Sequence, residues 1–192
     1  MLPSATIIET PRCRLRKVTE ADIPFAFSAT HHPGFCDGMP WDAPETEEVL
    51  QAVQAKNDAE WEAGTGCAFT IETRDGSTRL GRVSLRLVEA GIWNLGFWTH
   101  PDHQGRGYMT EAVIALTRFA FDRLGATRIR ALHADWNRAS RRVLEKAGFQ
   151  FIEHIPQGFQ KHGRWVSEDL LLLQPSASAD TGLPKEGENS AT

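Results

Sequence analysis

The 192-residue chain has few of the residues and runs that mark several protein classes. Its three cysteines, Cys13, Cys36 and Cys67, are odd in number and widely spaced, which favours reduced thiols in a cytoplasmic protein over a disulfide framework or a zinc site. No apolar run approaches the length of a membrane span, and the first ten residues lack the basic-then-apolar order of a signal peptide. A net charge of −4 provides no general attraction to nucleic acid or to an anionic membrane.

Composition and the order of predicted elements indicate one α/β domain. Hydrophobic residues make up 41% of the chain and charged residues 24%, which is ordinary for a soluble globular protein. Over residues 1–174 the patterns predict a strand, two helices, three strands, a helix, a strand, a helix and two strands. This order predicts a mixed central β-sheet of about seven strands with helices on both faces. Residues 175–192 are rich in Ser, Ala, Pro and Gly without an apolar period, and we expect disorder there.

Residues 94–112 carry the most informative pattern, a strand followed by a turn with two glycines and then a helix. Apolar residues recur at helical spacing from Tyr108 onward. Gly105 and Gly107 allow the backbone to approach a ligand closely. A helix N-terminus also presents free N–H groups and the positive end of the helix dipole. The segment therefore predicts a site for a phosphate-bearing ligand, although two glycines that only cap a turn would give the same pattern.

The spacing of these glycines excludes two common phosphate-binding motifs, the P-loop and the Gly-x-Gly-x-x-Gly dinucleotide fingerprint. Residues 104–109, Gln-Gly-Arg-Gly-Tyr-Met, instead resemble the Gln/Arg-x-x-Gly-x-Gly/Ala loop of the GNAT superfamily of N-acetyltransferases, which wraps the pyrophosphate of acetyl-coenzyme A (acetyl-CoA). Met109 departs from that pattern, which has Gly or Ala at its position. The wider context, Gly-x-Gly-Tyr-x-Thr-Glu-Ala, looks like the branch typified by RimJ and RimL, the ribosomal-protein N-terminal acetyltransferases.

A second segment, residues 127–149, contains a strand, an asparagine, a helix and a Gly-Phe pair. Asn137 is a favoured N-cap residue, and the apolar residues that follow lie on one helical face. Gly148 stands where helices often end in the left-handed conformation. A capped surface helix has this pattern too, but the segment also resembles the second GNAT signature, in which the Asn and the helix start hold the pantetheine arm. The two signatures stand in the family's order, and the resemblance extends over residues 9–174.

The resemblance implies an acetyl-CoA-dependent N-acetyltransferase with the GNAT fold. A basic region around Asn137 offers guanidinium groups to the 3′-phosphate of the coenzyme, or is simply a solvated helix face. The coenzyme-binding residues that the resemblance implies are Phe97, Trp98, Thr99, Gln104, Gly105, Arg106, Gly107, Tyr108, Met109, Asn137, Ser140 and Arg142.

Acetyl transfer requires that the amine lose a proton, that the oxyanion be stabilised and that the leaving thiolate gain a proton. By resemblance to the family, a bulge near Gly96 frees backbone N–H groups for the oxyanion, unless Gly96 is only a small residue under a bulky neighbour. Many GNAT enzymes have a Tyr acid seven residues after the motif Asn, where this chain has Leu144. Ser140 matches the RimL-like branch and is the candidate acid, although a helical Ser can instead bond a carbonyl.

The general base is the least defined part of the predicted site. The family often has a Glu two residues before the strand glycine, where this chain has Asn94, a catalytic candidate by position only because an amide cannot accept the proton. His133, at the end of the strand before the second signature, titrates near neutrality, although a lone His there is more often structural. Glu111 in the first helical turn is better explained by the helix dipole than by catalysis. A base from elsewhere or a water chain is the remaining possibility.

Residues 31–44 hold Gly, Pro, His and Trp without a period and predict a long loop on the acceptor side. His31, His32, Trp41 and Asp42 are the candidate contacts to an amine substrate, or are simply solvated. The acceptor is a protein N-terminus, such as that of a ribosomal protein, or a small-molecule amine. Because no Cys lies in either signature, direct transfer in a ternary complex is expected.

Other partners are constrained only by what the sequence lacks. No His-x-His or Cys-x-x-Cys spacing is present, so no metal is expected. Neither a membrane nor a specific nucleic acid is indicated, and a monomer and a homodimer both remain open. The alternative to an enzyme is a non-catalytic acyl-CoA-binding module or sensor, which the missing Tyr and Glu leave open.

Overall fold

The computed structural model describes residues 2–175, so the predicted disorder of 175–192 falls outside it apart from one position. The helices are α1 (Ile23–Thr30), α2 (Glu47–Ala63), α3 (Tyr108–Arg123) and α4 (Arg138–Lys146). The strands are β1 (Ile7–Glu9), β2 (Cys13–Lys17), β3 (Gly66–Thr73), β4 (Arg79–Glu89), β5 (Ile92–Thr99), β6 (Arg128–Ala134), β7 (Gln150–Lys161) and β8 (Arg164–Leu173). Within this part of the chain no helix combines the length and apolarity needed to cross a membrane.

The strands form one mixed sheet in the order β1-β2-β3-β4-β5-β6-β8-β7. Its pairs are antiparallel except for β5 and β6, which are parallel and are connected through α3. The predicted mixed α/β fold is confirmed, with eight strands rather than about seven. The additional strand, β1, spans only three residues, too few for an alternating pattern to be recognised. β7 spans 12 residues and forms a long hairpin with β8.

The two faces of the sheet carry different helices. On the first, here called the α1 face, Phe25 of α1 packs on Trp98 of β5, and Arg86 of β4 bonds Glu60 of α2. On the opposite side, the α3 face, α3 packs on strands β1, β2, β4 and β5, while Arg141 of α4 bonds β8. Because strand side chains alternate between faces, the register assigns each site residue to one of them.

A buried carboxylate ties the start of α1 to the sheet. Asp22 is fully buried and accepts hydrogen bonds from Arg16 of β2, Arg79 of β4 and Thr70 of β3, at 2.7 to 2.9 Å. Burial opposes its ionisation, but these bonds and that from the Thr19 N–H hold the pKa of Asp22 well below its usual range. Three strands and the chain leading into α1 are thereby joined through one ionised side chain.

Candidate active site

β5 and β6 separate halfway along their length and leave an opening in the sheet. Their pairing begins at Ile92 and ends where Leu95 lies beside Ala131. Beyond this point residues 96–99 and 132–134 continue as strands without pairing with each other. An extended ligand can lie in such an opening and bond the free backbone groups on its two sides.

The opening contains free backbone donors of β5. The N–H of His100 donates to the carbonyl of Leu80 in the continuation of β4, at 2.9 Å. In an antiparallel ladder, alternate residues bond the same neighbour. The N–H groups of Phe97 and Thr99 therefore point away from β4 and into the opening, where they can polarise a carbonyl.

No β-bulge produces these donors. The pairing of β4 with β5 passes through Gly96 without a register shift, so the bulge predicted there is absent from this ladder. The donors are free because β6 diverges from β5. Gly96 is the small residue beside Ser84, whose hydroxyl would lie 3.3 Å from an added Cβ.

A cluster of backbone N–H groups lies between the end of β5 and the start of α3. Gly105 and Gly107 have φ angles of 75° and 81°, in the left-handed region that glycine adopts without strain. Within residues 2–175, none of the N–H groups of residues 105–110 donates to an acceptor. The first α3 bond of this kind is from Glu111 to Gly107. The loop, here called the anion cradle, thus combines free donors with a helix N-terminus.

Arg12, in the turn before β2, places a guanidinium at the anion cradle, and no motif indicated it. It donates to the Arg106 carbonyl at 3.0 Å and to Glu111 at 2.7 Å, and it stacks on Tyr108 at 4.8 Å. Although burial raises the pKa of Glu111, hydrogen bonds from Thr10 and Arg12 lower it overall. Glu111 is therefore an ionised partner that fixes Arg12, in agreement with its non-catalytic interpretation.

α4 begins beside the β6 edge of the opening. The Asn137 side chain accepts a hydrogen bond from the Ser140 N–H at 3.1 Å, which confirms Asn137 as the N-cap. The hydroxyl of the half-buried Ser140 bonds no carbonyl among the described residues. Its proton is therefore available to a ligand. Arg142 on the same helix is exposed.

Asn94 and His133 occupy more constrained positions. Asn94 lies in the paired part of β5, where its side-chain oxygen accepts from Arg130 of β6 at 3.2 Å. His133 is 4% exposed, and its Nδ1 lies 2.7 Å from the Ala134 carbonyl, while its Nε2 has no partner in the described region. His133 stands two residues after Ala131, so both side chains point to the same face of the sheet. Because Ala131 pairs with the buried Leu171, this is the α3 face. Catalytic roles for both residues stay predictions.

Glu168 is a half-buried carboxylate on β8, the strand that pairs with β6, and no local pattern indicated it. It lies on β8 opposite Ala134 and against Gly158, where an added Cβ would be 2.5 Å from its side chain. Burial raises the pKa of Glu168, and the charge of His133 opposes the rise. Alternation along the paired strands places Glu168 on the α1 face with Trp98. A half-buried carboxylate with a raised pKa is suited to accept a proton.

Residues 31–44, here called the acceptor loop, cover the opening on the α1 face. Phe35 packs edge-to-face on Trp98 of β5, with ring centroids 5.6 Å apart. Gly38 approaches the second signature, since an added Cβ would lie 3.3 Å from both the Trp136 ring and the Asn137 amide nitrogen. The loop therefore contacts both sides of the opening.

A lysine from the β7–β8 hairpin holds the acceptor loop. The Lys161 ammonium donates to the carbonyls of Cys36, Met39 and Trp41 at 2.8 to 3.1 Å, and it pairs with Asp42 at 3.0 Å. Its side chain is only 11% exposed. This contact joins segments 120 or more residues apart in sequence, and the sequence patterns did not indicate it.

The four predicted acceptor contacts divide into two pairs. His32 lies beside His100, with ring centroids 5.1 Å apart, and Trp41 lies beside Phe35, so both belong to the aromatic surroundings of the opening. The side chain of His31 instead contacts α1, where its Nδ1 is 2.8 Å from the Phe27 carbonyl oxygen. Asp42 is engaged by Lys161, and hydrogen bonding from that lysine lowers the pKa of Asp42. Substrate contacts by these residues stay predictions.

The sequence profile of the acetyltransferase (GNAT) domain family matches residues 12–150, which include the opening, the anion cradle and α4. The chain belongs to the GNAT acetyltransferase family. The Bacillus subtilis protein named Probable N-acetyltransferase YjcK is 33% identical over 108 residues, which are 55% of this chain and 60% of YjcK. The chain thus matches less than two thirds of the length of this GNAT relative.

Solved structures confirm the GNAT fold. RimL, a ribosomal L7/L12 alpha-N-protein acetyltransferase solved with coenzyme A, superposes with a TM-score of 0.80 at 18% identity, over 88% of this chain and 98% of RimL. Mycobacterium smegmatis RimJ, solved with CoA-disulfide, gives 0.80 at 21% identity, over 91% of this chain and 90% of RimJ. These likenesses extend over nearly all of the described residues.

Met109, the departure from the GNAT loop pattern, faces away from the anion cradle. Its side chain is 5% exposed and belongs to the hydrophobic core under α3. The backbone N–H of Met109 remains among the free donors. The substitution therefore changes the packing under the helix and leaves the donor arrangement of the GNAT loop in place.

His32, His100 and Asp102 are the described residues best placed to hold a metal ion. Each offers one ligand atom, and these atoms lie within 4.8 Å of one another. Two imidazoles and a carboxylate form a ligand set that zinc accepts. His32 and His100 are 68 positions apart in this GNAT chain, so motif spacing had no means of indicating the cluster. The expectation of no metal stays a prediction.

Proposed function

We propose that the protein is an acetyl-CoA-dependent N-acetyltransferase that passes the acetyl group directly to a primary amine. The observation that carries the proposal is the placement of the anion cradle at one end of an opening beside which α4 presents Ser140 and the neighbouring strand β8 presents Glu168. The cradle is suited to the pyrophosphate, and the unpaired edges of β5 and β6 are suited to the amide groups of the pantetheine arm. RimL and RimJ, which share the fold, were solved with coenzyme A and CoA-disulfide.

The residues at the opening account for each proton and charge in the transfer. The neutral amine nitrogen forms a bond to the thioester carbon, and Glu168 accepts the proton that this nitrogen then loses and later returns it to solvent. The Phe97 N–H bonds the developing oxyanion. As the carbon–sulfur bond breaks, the Ser140 hydroxyl donates a proton to the departing thiolate and recovers one from solvent. No cysteine is required to carry the acetyl group.

The acceptor is proposed to be a protein N-terminus or a small amine. RimL acts, by its name, on the N-terminal α-amine of ribosomal L7/L12, and the present chain shares its fold. The acceptor loop and the aromatic side chains around Trp98 provide an enclosed surface for a short segment that carries a free amine. Entry from the α1 face brings that amine to Glu168.

Release of free coenzyme A from acetyl-CoA, measured with a panel of N-terminal peptides and small amines, tests the function. We expect turnover with at least one acceptor class.

Gly107→Val should weaken acetyl-CoA binding by at least about tenfold, because a side chain at the cradle displaces charge-assisted hydrogen bonds to the pyrophosphate. Calorimetry gives the dissociation constants.

Gly125→Val is the matched control for that variant. Gly125 also has a positive φ, 65°, and open space around it, so valine imposes comparable backbone strain far from the cradle. Equal binding by the Gly107→Val and Gly125→Val proteins would contradict the cradle assignment. Tight acetyl-CoA binding without turnover on any acceptor would instead identify an acyl-CoA-binding module.

Ser140→Ala is expected to lower kcat by about 10²-fold, the lower end of what a positioned acid contributes. The dissociation constant for acetyl-CoA should stay within about twofold, because the Asn137 cap uses the Ser140 N–H and not its hydroxyl. Steady-state kinetics and calorimetry measure the two quantities. An undiminished kcat would exclude Ser140 as the acid, and a large loss of coenzyme affinity would assign it a binding role instead.

A further inference from the structure

Arg82 is a guanidinium beside the opening that the proposed chemistry does not use. It lies on β4 directly opposite Trp98 of β5, and its guanidinium carbon is 5.8 Å from the centre of the Trp98 ring. Both side chains are half-buried on the α1 face. Trp98 also contacts Phe35 of the acceptor loop, so Arg82 lies next to the surface assigned to the acceptor.

Arg82 differs from the neighbouring arginines because, within the described part of the chain, no acidic side chain pairs with it. Arg14 and Arg16 pair with Glu72, Arg79 pairs with Asp22 and Arg86 pairs with Glu60. Among residues 2–175, Arg82 forms neither a hydrogen bond nor an ion pair within 4.0 Å. Burial lowers the pKa of Arg82. The charge of Asp22 opposes this effect, but Arg16 and Arg79 already bond that carboxylate.

A half-buried guanidinium without a counterion is free to bind a ligand that supplies the opposite charge. Anions of the coenzyme are poorly placed for this role. The anion cradle that suits them begins beyond the end of β5, and the side chain of Arg82 is on the α1 face, away from α3. The complementary anion therefore belongs to the acceptor, which enters from the side of the acceptor loop.

We propose that Arg82 binds a carboxylate of the acceptor, so that the substrates are amines that carry a carboxylate close to the acetylated nitrogen. This inference rests on the proposed function. A guanidinium forms two parallel hydrogen bonds with a carboxylate, and the Trp98 face covers the guanidinium plane. The carboxylate is supplied by a free amino acid or by an acidic side chain next to a peptide N-terminus, and the two sources share this chemistry.

Paired acceptors that differ only in charge test the inference. One pair is a peptide with N-terminal Ser-Glu and its Ser-Gln counterpart; the other is serine and serinamide. The wild-type protein should favour the acidic member of one pair by at least about tenfold in kcat/KM, as expected for one charge-assisted interaction. The pair that shows the preference identifies whether a peptide or a free amino acid is the source.

Arg82→Met should bring the acid-to-amide ratio of kcat/KM close to one, and Arg82→Lys should retain part of it. Arg86→Met is the matched control, because it removes an arginine from the same face that is already paired with Glu60, and it should keep the wild-type ratio. A wild-type ratio near one, or an unchanged ratio in Arg82→Met, would overturn the inference.

Failure of this inference is distinguishable from failure of the proposed function. Turnover of the neutral acceptors without an acid preference leaves the function standing and removes the role of Arg82. If no acceptor turns over, calorimetric binding of the same pairs in the presence of coenzyme A replaces the kinetic ratio. Equal affinity of acid and amide in that measurement would also overturn the proposal.

Discussion

Replacing Glu168 with Gln is expected to lower kcat by about 10²- to 10³-fold, which is within the range that a positioned general base contributes. The amide keeps the size of the side chain and its contact with Gly158 but cannot accept a proton. Steady-state assays of coenzyme A release at a saturating concentration of the acceptor measure the change in kcat. Calorimetric binding of acetyl-CoA should stay within about twofold, since Glu168 lies on the α1 face, away from the anion cradle.

The pH dependence provides a second test of Glu168. Because burial raises its pKa, the ionised base forms only as pH rises through a value above that of an ordinary glutamate. In the wild-type protein kcat should therefore fall as pH decreases through that raised pKa. The fall should be absent from Glu168→Gln.

Glu153→Gln is the matched control for Glu168→Gln, because Glu153 is exposed on the adjacent strand β7. It should retain both the wild-type kcat and the acidic fall. A Glu168→Gln protein with wild-type turnover would show that the amine loses its proton to another group or to water.

Replacing Asp22 with Asn is expected to destabilise the protein by about 3–5 kcal/mol, the usual effect of removing one partner from a buried ionic network. Arg79 would lose its partner, Arg16 would keep only its pair with Glu72, and Thr70 would face an altered acceptor. Urea unfolding followed by circular dichroism measures the change in the free energy of unfolding.

The same carboxylate predicts how stability depends on pH. The folded-state pKa of Asp22 lies below its unfolded value, so its contribution is complete above the unfolded pKa and is lost as pH falls toward the folded one. The wild-type protein should therefore lose stability more steeply in acid than Asp22→Asn does.

Asp58→Asn is the comparison for the stability measurement. Asp58 also pairs with a basic residue, Lys17, but is 39% exposed, and its loss should cost less than about 1 kcal/mol. A similar, small effect for both variants would show that the buried network adds little to folding.

Sequence patterns were most informative where a function depends on neighbouring residues. Gly105, Gly107 and Asn137 are recognisable because a loop and the helix that follows it occupy one short segment, and backbone donors arise from local conformation. The order of elements likewise sufficed for the mixed sheet. Met109 was recognised as a departure from the GNAT pattern, but only the packing under α3 shows that its side chain is directed into the core.

The residues that sequence analysis missed act across long separations. Glu168 lies beside Ala134 because β8 pairs with β6, and Arg12 reaches the anion cradle from a turn about 95 positions earlier. Nothing in the local spacing of either residue encodes these contacts. The prediction of a bulge at Gly96 was wrong for a similar reason. The free donors of β5 come from divergence of β6, a property of the pair of strands rather than of the glycine.

The attachment of the acceptor loop to Lys161 has a consequence for how such proteins diversify. The loop and the tip of the β7–β8 hairpin form one structural unit, although they lie far apart in the chain. If the acceptor loop were moved alone into another protein, its carbonyls would lose the Lys161 ammonium, and if the hairpin were moved alone, Lys161 would lose those carbonyls. An exchange that keeps the conformation of the loop must therefore move both segments together.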